Sequence, residues 1–377
     1  MRILVLIHEF PPVGGGGGRV AQDICQGLVK RGHEITVLTA HFNGLPREEN
    51  IAGIRVIRLA SLRQKPYEAS LVAMSAFLLS GFLAALRLAN HWKPDLIHVH
   101  FAVPAGAIAW GLSRLTATPY ILTAHLGDVP GGVPEKTSQW FRWIYPFTPP
   151  IWRHARRVVT VSEYTRQIAL QNYPVQMQVI HNGVDLSSFQ PAEIQVNDPP
   201  RLVFAGRFTE QKNPLQLIET LAQLQDLPWS CAMIGDGPLR PQVERKIEAC
   251  GLQSRFALPG WITPEEVIGW LAKSDILFMP SLSEGLPVVG VQSLAMGLAV
   301  VTSCVGGFVD LVNPEKNGYL IQGQDTDAYA RALRGLLSRP ERLYAFRKAS
   351  REKAKEFDLT KIVNEYEELI LEIAREG

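Results

Sequence analysis

Short apolar runs alternate with stretches of helical spacing along almost the whole chain, and this alternation limits the fold more than any other feature. The first run, Ile3 to Ile7, is followed by a glycine-rich turn, a helical pattern from Arg19 to Lys30 and a second run from Glu34 to Thr39. Leu96 to His100, Tyr120 to Thr123 and Arg157 to Val161 continue the series, with Ser162 placed to N-cap the helix that follows. Runs of this length, bounded by Gly and Pro, read as buried strands. The polar, proline-bearing stretch Gln190 to Pro200 reads as a linker. The alternation then resumes with Leu202 to Ala205, Ser230 to Ile234, Phe256 to Leu258, Ile276 to Met279 and Ala299 to Thr302. Two successive β/α series predict an α/β protein of two facing, doubly wound Rossmann-like domains with a cleft between them. At 377 residues the chain is long enough for two cores.

Composition narrows the function classes. With 46% hydrophobic and 20% charged residues and a net charge of +2, the chain carries no electrostatic signature of a nucleic-acid partner. Its four cysteines, Cys25, Cys231, Cys250 and Cys304, lack C-x-x-C spacing and fall in or beside apolar segments, as reduced core thiols do. Met1 to Phe10 holds one Arg, a short apolar run and Glu9, too short and wrongly flanked for a signal peptide, so a cytoplasmic location is expected. From Ala69 to Leu86 there are 18 residues without a charge, the length at which a membrane span becomes a candidate. Ser70, Ser75, Ser80 and Gly81 dilute that run, and a span here would split the sheet, so a buried or surface-seated helix is expected. Nearby Arg55, Arg58, Arg63 and Lys65 suit either a solvated face or peripheral contact with anionic lipid at the inner membrane surface.

The chemistry lies in a few loops. Gly16-x-Gly18-x-x-Ala21 formally fits a dinucleotide fingerprint, but that reading needs an acid closing the second strand, which ends Leu38-Thr39-Ala40-His41 instead. The glycines are better read as bare backbone approaching a substrate. His98 and His100 share one face of a strand, yet no third ligand stands at a local spacing, so a structural pair is expected rather than a metal site. Trp140, Phe141, Trp143, Tyr145, Phe147 and Trp152, with Arg142 among them, suit sugar stacking, a membrane surface or plain packing. The stretch from Met279 to Gly297 reads as a strand end, a loop broken at Pro280 and a helix from Val288. Such a loop aims backbone N–H groups outward and favours an anion or a polyol. Glu284 within it could accept hydrogen bonds from hydroxyls, or simply sit well beside a helix start.

That last stretch, with Ser283-Glu284-Gly285-Leu286-Pro287 at its centre, resembles the signature of the retaining nucleotide-sugar glycosyltransferases of family 4 (glycosyl transferases group 1), where two Glu residues flank seven others. Glu284 takes the first position and Gln292 the second. Matching motifs recur over nearly the whole chain. The resemblance implies GT-B architecture, with residues 1–185 as acceptor domain, 186–358 as donor domain, and a C-terminal helix over 359–377 packing back on the first. Val179 to Asp185 looks like the crossover between them. Arg207 and Lys212, in Gly206-Arg207-Phe208-Thr209-Glu210-Gln211-Lys212-Asn213, match the family's clamp on the leaving diphosphate, Arg as a planar fork and Lys as a point charge. By the same resemblance, His125 in Ala124-His125-Leu126-Gly127-Asp128 approaches the donor sugar, and Gly15 and Gly16 lie close to phosphate and acceptor. Gly235 and Leu258, in Gly235-Asp236-Gly237-Pro238 and Leu258-Pro259-Gly260-Trp261, lie at strand ends whose backbone could grip base or ribose or simply form tight turns, and Gly285, Leu286, Pro287 and Val288 would carry the donor beside Glu284.

The implied activity is retaining transfer of a hexose from a UDP- or GDP-sugar to a hydroxyl of a glycan or lipid-linked acceptor. The acceptor would attack the face that the diphosphate leaves, a phosphate oxygen would take its proton, and the two halves would close over the reactants. Asp325-Thr326-Asp327 fits the metal clamp of another glycosyltransferase class, but it opens a helical pattern where Asp is a good cap. No metal or other cofactor is expected, the nucleotide sugar being a co-substrate. Gln292 in place of the second Glu leaves a non-catalytic or regulatory nucleotide-sugar binder as the alternative.

Overall fold

In a computed structural model, which describes residues 1–65, 69–133, 141–189 and 193–376, the apolar runs become the strands of two separate sheets. The first unit comprises Met1–Gly183 and Leu359–Gly377, and the second Val184–Asp358.

The first unit holds β1 (Arg2–Leu6), β2 (Glu34–Ala40), β3 (Glu48–Ile51), β4 (Ile54–Leu59), β5 (Leu96–His100), β6 (Tyr120–Ala124), β7 (Arg157–Thr160) and β8 (Gln178–Val179). They lie in the order β3-β4-β2-β1-β5-β6-β7-β8, parallel except for the hairpin of β3 on β4. The chain turns from one side of the sheet to the other between β1 and β5, so the loops after these two strands meet at a topological switch point, where such sheets bind ligands. No expected run covers β3, β4 or β8: Glu48–Ile51 is polar and partly exposed at the sheet edge, Ile54–Leu59 interrupts its apolar residues with two arginines, and β8 is two residues long.

Ser70 caps the helix Leu71–His91 by accepting from the Ala73 N–H at 3.2 Å. This helix is long and apolar enough to cross a membrane, but one face, Ala73, Phe77, Gly81 and Ala85, is buried within the first unit. A Cβ on Gly81 would stand 2.6 Å from the Ile108 side chain, so a residue without one lets the helix Ala107–Thr116 approach. The opposite face leaves Leu71, Val72, Leu79 and Leu83 exposed.

The cations beside that helix differ from expectation. Arg55 is exposed and pairs with Glu48, but the Arg58 and Arg63 side chains are buried, satisfying neither the solvated nor the lipid-facing reading. Arg58 bonds Glu49 and the Pro11 carbonyl, and Arg63 bonds Glu9. The aromatic stretch also divides. Trp143 and Phe147 are exposed, whereas Trp152 is fully buried and stacks on Tyr173 at 4.2 Å. Trp140 and the side chains of Phe141 and Arg142 lie outside the described residues. Of the cysteines, Cys25 and Cys231 are buried, but Cys250 and Cys304 are only half-buried.

The second unit holds β9 (Arg201–Ala205), β10 (Ser230–Ile234), β11 (Phe256–Gly260), β12 (Ile276–Met279), β13 (Ala299–Ser303) and β14 (Gly318–Ile321). All are parallel, in the order β11-β10-β9-β12-β13-β14, so its switch point lies between β9 and β12. At the other end of these strands Asp275 is completely buried. It accepts from the Arg201 N–H (2.8 Å) and the Asn197 amide (2.9 Å) and pairs with Arg347. That network ties the described end of the linker to the sheet, while 190–192 lie outside the described residues. Asp325 does cap the helix Thr326–Leu337, accepting from the Ala328 N–H at 2.9 Å.

In the last helix, Leu359–Glu376, Ile362, Val363, Tyr366, Leu369, Ile370 and Ile373 form one buried face. It lies against the helix Gly16–Lys30, where a Cβ on Gly27 would meet the Val363 side chain at 2.5 Å. Glu367 pairs with Arg31 (2.7 Å) and His33 (3.0 Å).

Candidate functional site

The switch point of the second unit brings together two residues far apart in sequence. Lys212 follows β9 and Glu284 follows β12, and Lys212 Nζ donates to both carboxylate oxygens of Glu284, at 2.6 and 2.8 Å. Glu284 is buried and Lys212 partly so. Two bonds join the loops themselves, Leu282 N–H to the Gln211 carbonyl (2.8 Å) and the Gln211 amide to the Ser283 carbonyl (3.0 Å). Arg207 stands five residues before Lys212 in the same loop.

Glycines let the neighbouring loops close on this pair. A Cβ on Gly235, whose φ is +127°, would collide with the Gly206 carbonyl, and Gly235 N–H bonds Gly260 at the end of β11 at 2.9 Å. Gly306, at φ +58°, lies so close to Glu284 that a Cβ would strike its carbonyl, and Gly307 N–H donates to Gly285 at 2.5 Å. Side chains at these positions would push the strand-end loops apart. The expected substrate residues then divide. Leu286 and Pro287 are buried. Val288 opens the helix Val288–Ala295, and Gln292, in its second turn, is half-buried. Leu258 lies inside β11, two residues short of its end at Gly260, rather than beyond the strand.

His125, Gly15 and Gly16 belong to the first unit, where the strand ends carry a layer of rings. Phe101 stacks on His125 at 4.3 Å and meets His8 edge-on at 5.0 Å, while His98 and His100 lie 4.3 Å apart. Phe101 holds φ +72°, a left-handed conformation that costs a bulky residue about 1–3 kcal/mol and is characteristic of functional sites. His98 Nε2 bonds the Thr123 hydroxyl (2.9 Å), which in turn meets Tyr366 of the last helix (3.3 Å).

Burial holds these imidazoles neutral. It lowers His98 to about 3 and His125 to about 4, and moves His8 and His100 in the same direction. For His125, Glu9 opposes the fall and His8 adds to it. The Asp128 N–H donates to the His125 backbone carbonyl at 2.9 Å, and among the described residues the buried His125 Nε2 has no hydrogen-bond partner. A neutral imidazole with one buried, unpartnered nitrogen suits a sugar hydroxyl, which can donate or accept. Asp128 itself accepts from the backbone of His125 (2.9 Å) and Val103 (3.4 Å), yet burial raises its carboxyl to about 7. Among the described residues no group of three or more His, Cys, Asp or Glu is arranged to hold a metal ion.

The family follows from comparison with known sequences. The profile described as Glycosyltransferase Family 4 matches residues 14–188, and that described as Glycosyl transferases group 1 matches residues 188–353, together most of the chain. The chain belongs to the group 1 glycosyltransferases. Over 355 residues it is 27% identical to the 2-deoxystreptamine glucosyltransferase of Streptomyces kanamyceticus, covering 86% of this chain and 90% of that one. The sucrose-phosphate synthase of Thermosynechococcus elongatus superposes with a TM-score of 0.88 at 22% identity over all of both chains. HepE of Anabaena, solved in complex with UDP-glucose, does so with 0.79 at 19% identity, covering 99% of this chain and all of that one. The fold of this glycosyltransferase is therefore GT-B, two Rossmann-like domains.

Several residues of this geometry have only a weak sequence signal or none. Gly306-Gly307 comes shortly after the apolar strand β13, separated from it by Cys304 and Val305, as the glycine run follows β1, and could have been read the same way. Gln211, Phe101 and Asp128 sit beside motif residues without a distinguishing spacing. Glu9 and Arg63 stand 54 positions apart and are joined by the fold alone.

Proposed function

We propose that this group 1 glycosyltransferase is a retaining hexosyltransferase, moving a hexose from a UDP- or GDP-sugar to a hydroxyl acceptor. The observation that carries the reading is the Lys212–Glu284 pair at the switch point of the second unit, with Arg207 in the same loop. A cation pair there neutralises a leaving diphosphate, and Glu284, freed from Lys212 as the phosphates take its charge, accepts hydrogen bonds from the transferred sugar. Gly235, Gly285 and the N–H groups opening the helix at Val288 face the nucleotide and its phosphates, with Gln292 towards the ribose. In the first unit His125 offers Nε2 to a sugar hydroxyl, and the loop at Gly15 and Gly16 meets the acceptor. The acceptor attacks the anomeric carbon on the face from which the C–O bond to the diphosphate breaks, and its proton passes to a phosphate oxygen. Arg207 and Lys212 stand where a divalent ion would otherwise serve, so the reaction needs none. HepE, solved with UDP-glucose, and the related glucosyltransferase of Streptomyces support a nucleotide-glucose donor and a polyhydroxylated acceptor.

The exposed face Leu71, Val72, Leu79 and Leu83 suits peripheral contact with the cytoplasmic membrane surface and hence a lipid-linked acceptor. Flotation with anionic lipid vesicles tests this contact; protein left wholly in the dense fraction rejects it. The activity is tested by nucleoside diphosphate release from UDP-glucose, UDP-galactose and GDP-mannose with octyl glucoside as acceptor, with and without a chelator, followed by NMR of the product anomer. Binding without turnover on every donor would mark a nucleotide-sugar binder, and an inverted product would reject retention.

A further inference from the structure

We propose that Glu9 and Arg63 form a latch that positions the glycine loop of the first unit for the acceptor, a role that rests on the acceptor reading above. The chain leaves β1 after Leu6 and enters the helix Gly16–Lys30 through Gly14–Gly18, a run of glycines with little intrinsic preference for one shape. Contacts with Glu9 define that shape. Glu9 Oε2 accepts the Gly15 N–H at 3.3 Å. Gly14, at φ +98°, wraps the same side chain so closely that a Cβ would stand 2.5 Å from the Glu9 Cβ, and a Cβ on Gly18 would stand 2.6 Å from the Glu9 carbonyl oxygen.

Glu9 is held in turn from across the sheet. Arg63, its side chain only 1% exposed, donates to Glu9 Oε1 at 3.1 Å, to the His8 carbonyl at 3.2 Å and to the Lys65 carbonyl at 3.0 Å. Arg58 is a second strut, donating to the Pro11 carbonyl at 2.9 Å while paired with Glu49. On its far side the loop ends against the ring layer: a Cβ on Gly17 would stand 2.7 Å from Phe101 Cζ and 3.5 Å from His125 Cε1. The loop is thus fixed between a carboxylate and the Phe101–His125 stack. Release at Glu9 lets the glycine backbone move relative to His125 while the second unit is untouched. Arg63, far from Glu9 in sequence, is a positioning residue in this scheme and touches no substrate.

The test uses the full chain. Glu9→Gln keeps size and shape but presents an amide where either Arg63 or Gly15 N–H needs an acceptor. Transfer from UDP-glucose to octyl glucoside should fall on the order of 10-fold, as for loss of a charged hydrogen bond, with UDP affinity by calorimetry unchanged and amide exchange across residues 13–18 faster. Adding Arg63→Met to that variant removes the uncompensated buried cation and should restore the melting temperature without restoring turnover. Turnover recovering together with melting temperature would reduce the pair to a stability element and overturn the latch, as would wild-type exchange of the loop in Glu9→Gln. If the wild-type protein itself fails to use the donors, the transferase reading fails, and the exchange of the loop still decides the latch by itself.

Discussion

The two units build similar sheets and load their switch points with opposite chemistry. In the second, a lysine and a buried glutamate meet directly, and bare glycine backbone crowds around them. In the first, four neutral histidines and a phenylalanine form a buried layer, and Glu9, a carboxylate beside it, is already engaged by a buried arginine. A strand-end loop sets where a ligand can sit, but the charge beneath it sets which part of a ligand is favoured. Fixed charge with free N–H groups suits phosphates, and neutral donors suit hydroxyls. Duplication of one topology thus yields two sites that do not compete for the same group.

The sharpest way to break this contrast is to remove charge from the second unit. Arg207→Ala and Lys212→Ala should each lower kcat on the order of 10²-fold, as loss of a preorganised charge partner does, with the fold intact by circular dichroism. Near-normal turnover in both would mean that the pair does not carry the departing diphosphate.

Acid should act on the first unit instead. His8, His98, His100 and His125 have folded pKa values below their ordinary 6.5, so below that pH the unfolded chain binds protons that the folded chain refuses. For His98 and His125 that stability is complete above about pH 6.5 and is lost as pH falls towards about 4, by up to about 1.4 kcal/mol per pH unit each, and His8 and His100 act in the same direction. Asp128 works the other way: raised from 3.8 to about 7, it contributes stability at low pH that disappears as pH rises through about 7. With several histidines against one carboxyl, the melting temperature should drop from about pH 7.5 to about pH 5, and Asp128→Asn should steepen the drop. Hydrogen exchange at about pH 5 should show the first unit opening before the second; the reverse order would contradict the contrast.

A smaller effect is expected at the ring itself. His125→Phe keeps the stack on Phe101 and deletes Nε2, and kcat/KM should fall about 5- to 10-fold, the worth of one neutral hydrogen bond. Steady-state kinetics with unchanged kcat/KM would place no hydroxyl there. The smallest change concerns Gln292. An amide offers the ribose one acceptor oxygen where a carboxylate offers two, so Gln292→Glu should tighten nucleoside diphosphate binding by about 1 kcal/mol in calorimetric titration. Unchanged affinity would turn that helix face away from the ribose.

Most of the α/β scaffold is legible in the sequence because buried parallel strands are short apolar runs and helices repeat at their own period, both local properties of the chain. β5, β10 and β12 fall where the runs lie, and the strand-loop-helix around Glu284 can be read from Met279 to Gly297. β3, at the edge, escapes because a strand exposed to water needs no apolar face. Burial is harder to read than fold. Arg58 and Arg63 look like surface cations, since arginine is rarely buried without partners, and their partners Glu49, Pro11 and Glu9 become neighbours only when β4 pairs between β3 and β2, with β1 next in the sheet. The same holds for Lys212 and Glu284, which stand 72 positions apart. By itself, then, the sequence determined which residues are available and which periodicities hold them. The tertiary structure alone decided which charges meet, because electrostatic and hydrogen-bond energies fall within a few ångströms and depend on neighbours that chain order does not specify.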